Sequence, residues 1–406
     1  MILNYKIIPV MVAIFIIVVE TAISFNSVLL PDIKQDFVIS ETIAQSTISV
    51  CLFMLGFAGI VYGAITDSIG RRPIFLFSIG IFSVASLVCA NATNINIFMI
   101  AKFFQGIGSG AGWVVGNACV KDLYSGKAYT KMMNHIHAVV GIVPAISPVL
   151  GSYVAVLLGW RQCFVLLFIL SLVIFLLMFF YQKETLEKKA NVSFANIICN
   201  FKKLFGNKKF KFFLLIKVAS VVLLFCEISN MPLIFIEHMG VDAKLYGWYV
   251  LPVFLLYVLA NLLSTWLIKK MPVINIVKLG VVCIFISNFL LIVLFFLIKQ
   301  NAIIIQIIKS LTYIGWGLIF GNAIAEIVSA VHGLSGLASA VMISFEMLCS
   351  SIGVFLLSSF FSGDILPLSI FMASISLGLA FIFLKVKTYN YRWYNCNEKV
   401  LLFYRY

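Results

Sequence analysis

The sequence predicts an all-α membrane protein of about twelve transmembrane helices, arranged as two related six-helix bundles. Three observations carry this. The 406 residues are 63% hydrophobic and only 11% charged, with a mean hydropathy of +1.11; a soluble domain averages roughly 25% charged residues. The apolar residues fall into runs long enough to cross a bilayer, which takes about 20 residues per helix. The basic residues are also sorted by side. With the N-terminus placed in the cytoplasm, 22 Lys and Arg fall on inward loops and ends and only four on outward loops. That split follows the positive-inside rule, so both termini are expected in the cytoplasm.

In chain order the expected spans are 7–29, 43–66, 74–91, 97–120, 134–157, 161–182, 212–236, 245–268, 273–297, 302–326, 335–361 and 365–385. The first run is too long for a signal peptide and lacks a small-residue cleavage site. The longest polar stretch, 183–211, separates a first bundle (1–182) from a second (212–386). Within it Phe194, Ile197, Ile198, Phe201, Leu204 and Phe205 recur at helical spacing beside Lys202 and Lys203, which reads as an amphipathic interfacial helix. Residues 387–406 form a cytoplasmic tail in which aromatics alternate with cations. The formal charge of +14 follows from topology and attraction to anionic lipid, so no nucleic-acid partner is expected. Nine cysteines form no C-x-x-C pair and four histidines lack ligand spacing, so no metal is expected.

The halves echo each other. "GWVVGN" at Gly112–Asn117 returns as "GLIFGN" at Gly317–Asn322, an offset of 205. Glu20 and Glu227 are 207 apart, as are Lys102 and Lys309. Parallel six-span repeats of this kind build transporters that rock around a midplane site.

The turn between spans 2 and 3 reads "YGAITDSIGRRP", placing Gly63, Asp67, Gly70, Arg71 and Arg72 in the pattern G-x-x-x-D-x-x-G-R-R. So short a turn needs glycine, and Asp67 is placed to pair with an arginine or a helix N-terminus as a conformational latch. This loop resembles the signature of the major facilitator superfamily. Span 4, "AKFFQGIGSGAGWVVGNACVKDLY", resembles the Bcr/CflA-type drug-resistance transporters through Gln105, Gly106, Gly108, Lys121, Asp122, Leu123 and Tyr124. Lys102 stands where that group has arginine. Span 5 resembles its antiporter motif through Gly141, Pro144, Pro148 and Gly151, with Ser147 and Ser152 where the general pattern has glycine. Trp160–Arg161 and "KETLEK" after span 6 also fit. The G-x-G-x-x-A at Gly106–Ala111 follows no strand and reads as helix packing.

The resemblance implies a secondary transporter rather than an enzyme, working without cofactor, driven by a proton gradient and acting on a small-molecule substrate, with a monomer expected. Its usual span 1 aspartate is replaced by Ser24, and Glu20 lies one turn earlier on the same face. A carboxylate at mid-membrane costs roughly 2.5–3.5 kcal/mol on insertion scales, so a role is expected for it. Glu20 is read as the proton-coupling acid and Lys102, at a similar depth on span 4, as its partner. Glu346 and Glu227 are further candidates, Lys217 is expected to snorkel, and Lys309 to pair with an acid. The function read from these residues is proton-coupled export of amphipathic drugs or metabolites. The alternative is an importer or exchanger on the same fold. A membrane enzyme or receptor would need a catalytic cluster or soluble domain, and the sequence offers neither.

Overall fold

A computed structural model describes residues 3–124, 128, 132–133, 135–136, 139–186, 194–297, 301–331, 334–361 and 363–386. The tail 387–406, the middle of the linker (187–193), and Lys127, Lys131, His137, His332 and Cys396 lie outside the described residues. The helices are α1 (Leu3–Val28), α2 (Leu30–Phe37), α3 (Glu41–Ile69), α4 (Arg71–Ala90), α5 (Ile95–Leu123), α6 (Val143–Leu158), α7 (Trp160–Tyr181), α8 (Phe194–Gly206), α9 (Lys208–Pro232, continued by a π-helical turn, Leu233–His238), α10 (Ala243–Leu267), α11 (Val273–Leu297), α12 (Ala302–Ser329), α13 (Ser335–Ser358) and α14 (Ile365–Val386). Among the described residues ten of these are long and apolar enough to cross a membrane, α6 is a shorter apolar helix, and α5 runs 29 residues.

Six membrane helices (α1, α3–α7) form one bundle and six (α9–α14) the other. Two seams join them, α3 along α13 and α6 along α10. Both rest on missing side chains. A Cβ on Gly56 would come within 2.8 Å of the Ser344 carbonyl oxygen, and one on Gly247 within 2.5 Å of the Val149 Cα. Where lipid removes the hydrophobic drive between helices, such close backbone approach supplies the dispersion contact. The turn bearing Asp67 and Arg71 and the linker lie at one end of the molecule, the motif end. The α2 helix and the π-helical turn lie at the other, the far end.

Three elements differ from expectation, each at a proline. Span 5 is not one helix over 134–157: it breaks in a turn at Gly141–Ile142, and α6 starts at Val143 with Pro144 in its first turn. Pro144 has no N–H to give the Val140 carbonyl, and its ring crowds that carbonyl. Span 7 likewise changes character at Pro232, where α winding gives way to π. The lost bond would have gone to Ile228, and the hydroxyl of Ser27, from the other bundle, donates to the Ile228 carbonyl instead. A helix not foreseen is α2, which opens with Pro31 and Asp32 in its first turn and ends at Val38 in left-handed geometry (φ 52°). The amphipathic α8 is present. Its Leu204 is fully buried and Phe205 packs 5.6 Å from Phe345 of α13, so this face docks on the second bundle.

Candidate functional site

Charge inside the bundles is concentrated on a few helices. In the second bundle Glu227 (α9) and Lys309 (α12) form a pair at 2.9 Å, with side chains 2% and 0% exposed. Lys309 Nζ also donates to Asn288 Oδ1 (3.0 Å) and lies 3.3 Å from Met372 Sδ, while the Tyr313 hydroxyl bonds Glu227. The ammonium is thus ringed by acceptors, the condition under which a buried ion pair is tolerated. Lys217 does not snorkel. It is buried in α9, 3.5 Å from Glu346 of α13, with its ammonium 3.8 Å from the centre of the Phe320 ring. At that length the contact is Coulombic and cation–π rather than a hydrogen bond, and Glu346 Oε1 has no hydrogen-bond donor.

In the first bundle the expected Glu20–Lys102 pair does not form. Lys102 Nζ turns to Gln105 Oε1 at 2.6 Å, 5.5 Å from the Phe164 ring, and Gln105 Nε2 passes the chain on to Ser86. Among the described residues no carboxylate pairs with Lys102. Glu20 meets Trp113, eleven residues and so about 16 Å along α5 from Lys102, and Gln105, one turn from Lys102, takes the ammonium. In the second bundle Glu227 meets Tyr313, one turn from Lys309, so acid and ammonium share a depth and pair. Glu20, half-buried, accepts from Trp113 Nε1 at 3.0 Å, and the Glu346 carboxylate of the other bundle acts on it electrostatically. On the corresponding helix of the second bundle Phe320 holds an ammonium, where Trp113 of α5 holds a carboxylate.

A small cavity between the bundles gathers residues that the sequence left scattered. Ser24, Pro144, Pro148, Glu227, Tyr246 and Tyr313 share its wall. The span 5 prolines thus line the same space as the acid of the second bundle. Gly151 packs against Phe25 of α1, and Gly106 and Gly108 sit where a Cβ would strike the Cys51 carbonyl (2.4 Å) and the Phe82 backbone (2.6 Å). Gly141 lies in the turn before α6, and Gly63 faces Val114 and Ala340 at the seam.

At the motif end Arg71 is held by two acids, Asp67 (2.5 Å) and Asp122 (3.0 Å), and Thr185 Oγ1 donates to Asp122. Gly70 (φ 121°) makes the turn, and a Cβ there would meet Glu184 at 2.5 Å. The Glu184 carboxylate accepts from the backbone N–H groups of Arg71 and Arg72, capping α4 at its positive end. Glu184 and Thr185 were readable only as part of a matching string, since nothing local to 183–187 says they will fold back onto α4. Asp67 is 54% exposed, and Arg71 keeps Asp122 without it, so Asp67→Asn should insert and fold normally while transport slows severalfold. Unchanged transport rates in that variant would remove Asp67 from any gating role.

The far end carries polar contacts, most of which cross between bundles. Lys34 of α2 bonds Glu41 (2.7 Å) and Glu237, His238 Nε2 meets Glu41 at 3.1 Å, Gln45 donates to Asn230 (3.2 Å), and Thr42 donates to the Ser358 carbonyl. Burial pulls the Lys34 ammonium down, but its bonds to Glu237 and Glu41 hold it above the ordinary lysine range. Burial and the nearby Glu237 charge push Asp32 up. Glu41, Glu237 and His238 converge as three groups of metal-ligand type. Lys34 bonds both carboxylates, so their charge is met by an ammonium.

Comparison with known proteins agrees with this architecture. The profile of the Major Facilitator Superfamily matches residues 11–354. Multidrug resistance protein MdtL of Citrobacter koseri is 29% identical over 54% of this chain and 55% of its own length. Multidrug resistance protein D of Escherichia coli is 26% identical over 47% and 48%, and the bicyclomycin resistance protein homolog of Haemophilus influenzae 24% over 64% and 66%. The chain spans about half the length of the first of these curated relatives. Among solved structures, a POT family transporter in complex with 5-aminolevulinic acid superposes with a TM-score of 0.77 at 13% identity, covering 95% of this chain and 96% of that one. A D-xylose-proton symporter gives 0.73 at 13% identity, over 92% and 96%. At such identities these two structures speak for the fold alone.

Proposed function

Since the chain belongs to the Major Facilitator Superfamily, we propose that it is a proton-driven exporter of small amphipathic compounds, working by alternating access as a monomer and without a cofactor. The observation that carries this reading is Glu20. It is a half-buried carboxylate held by one indole N–H, with no cation paired to it among the described residues and with the charge of Glu346, from the other bundle, acting on it. Protonation removes a charge that the membrane interior penalises, and the bundles can then close on the site. Release of the proton restores that penalty and favours reopening. The relatives named for multidrug and bicyclomycin resistance support an amphipathic substrate.

In this reading the far-end contacts form the outer gate, and the Asp67–Arg71–Asp122 network belongs to the inner one. The motif end is cytoplasmic, supported by the 22 to four division of basic residues. The protein sits in the inner membrane, with small-molecule substrate, protons and lipid as its partners. The test is dye efflux from cells with and without the protein. Cells that carry it should accumulate less of a fluorescent amphipathic dye, and a protonophore should abolish the difference. Equal accumulation across a broad panel of such dyes, or a difference that survives the protonophore, would overturn the reading.

A further inference from the structure

Away from the inter-bundle space, the first bundle carries a lateral groove of about 760 Å³ between α4, α5 and α7. Every residue lining it is apolar, and Phe77, Val84 and Ile100 on its rim are about 60% exposed, so it opens toward lipid. Along α4 it runs from Leu76 to Val88, about 18 Å at the helical rise, which matches one leaflet of a roughly 30 Å hydrocarbon core. Arg72 lies one turn before Leu76, at the motif end. Its Nη2 donates to the Phe179 carbonyl (2.7 Å) and its guanidinium carbon is 6.0 Å from the centre of the Phe179 ring, itself part of the groove wall.

Arg72 differs from its neighbour in what it lacks. Arg71 has two carboxylates, whereas no described carboxylate forms an ion pair with Arg72, and the only acceptor on its guanidinium among the described residues is the Phe179 carbonyl at Nη2. Glu184 accepts from the backbone N–H of Arg72. A planar guanidinium with donors to spare, at the mouth of an acyl-sized apolar groove, matches a phosphate joined to a chain. We propose that the groove holds one acyl chain of an anionic phospholipid from the leaflet at the motif end, with its phosphate on Arg72.

The test is native mass spectrometry of the delipidated full chain in detergent, titrated with phosphatidylglycerol or phosphatidylcholine. The first phosphatidylglycerol should bind about fivefold more tightly than phosphatidylcholine, the effect of roughly one basic side chain at a membrane surface. Arg72→Gln should erase that preference. Gly80→Leu, which adds bulk in mid-groove where the nearest neighbour is Phe175 at 3.5 Å, should weaken binding of both lipids. Lys270→Gln, a basic site on the second bundle, should change neither. The assignment is overturned by a preference that survives Arg72→Gln, by lipid binding unaltered in Gly80→Leu, or by an equal loss in Lys270→Gln.

Discussion

Lys309→Met is expected to destabilise the protein by about 3–5 kcal/mol, the range for stripping one partner from a buried ion pair. Glu227 would be left with the Tyr313 hydroxyl in a site where its side chain is 2% exposed. Asn288 Oδ1 would lose its donor as well. Thermal unfolding in detergent reads this as a large drop in midpoint and a low yield of inserted protein. Glu227→Gln in the same chain should recover most of the loss, because it removes the orphaned charge and keeps the shape. If the single variant unfolds like the parent, the pair is not a structural tie of the second bundle. If the double variant stays as unstable as the single, lost packing of the lysine stem, rather than uncompensated charge, is the cause.

Glu20→Gln is expected to behave in the opposite way, folding normally and failing to transport. The glutamine amide oxygen still accepts from Trp113, so the packing of α1 on α5 is preserved. The variant is locked in an uncharged state, and dye efflux driven by a pH gradient should fall to the level of cells lacking the protein. Lys102→Met sharpens the test. Because Lys102 is engaged with Gln105 rather than with Glu20, its loss should leave the pH profile of transport where it was. A shifted profile in that variant would mean that the two residues meet in another conformation. Retained gradient-driven efflux in Glu20→Gln would move the coupling role to Glu346, which holds Lys217 by a loose contact.

Most of the scaffold was legible in the chain. Apolar runs, a sidedness of basic residues and the 207-residue offset are local or statistical properties, and they follow from the bilayer as solvent rather than from any contact. The departures occurred where one residue altered the backbone hydrogen-bond pattern. Pro144 broke the fifth span, Pro232 turned α9 into π winding, and Pro31 began a helix in what read as a loop.

The candidate site was legible as a set of residues and not as a set of pairs. Sequence alone determined that Glu20, Lys102, Lys217, Glu227, Lys309 and Glu346 sit within membrane spans, because each lies inside an apolar run long enough to cross the bilayer. It also determined the Asp67–Arg71 turn, since the spacing of glycines and charges leaves few other conformations for so short a link. Tertiary structure alone decided who holds whom. Hydropathy does not specify the depth or the neighbour a long side chain reaches: Glu20 meets Trp113, about three turns of α5 from Lys102, while Glu227 sits beside Lys309. Only the packed bundles bring Ser24, Pro144, Pro148 and Glu227 to one cavity and Glu20 within sight of Glu346. These residues come from helices far apart in the chain, and their meeting is fixed by how two bundles dock.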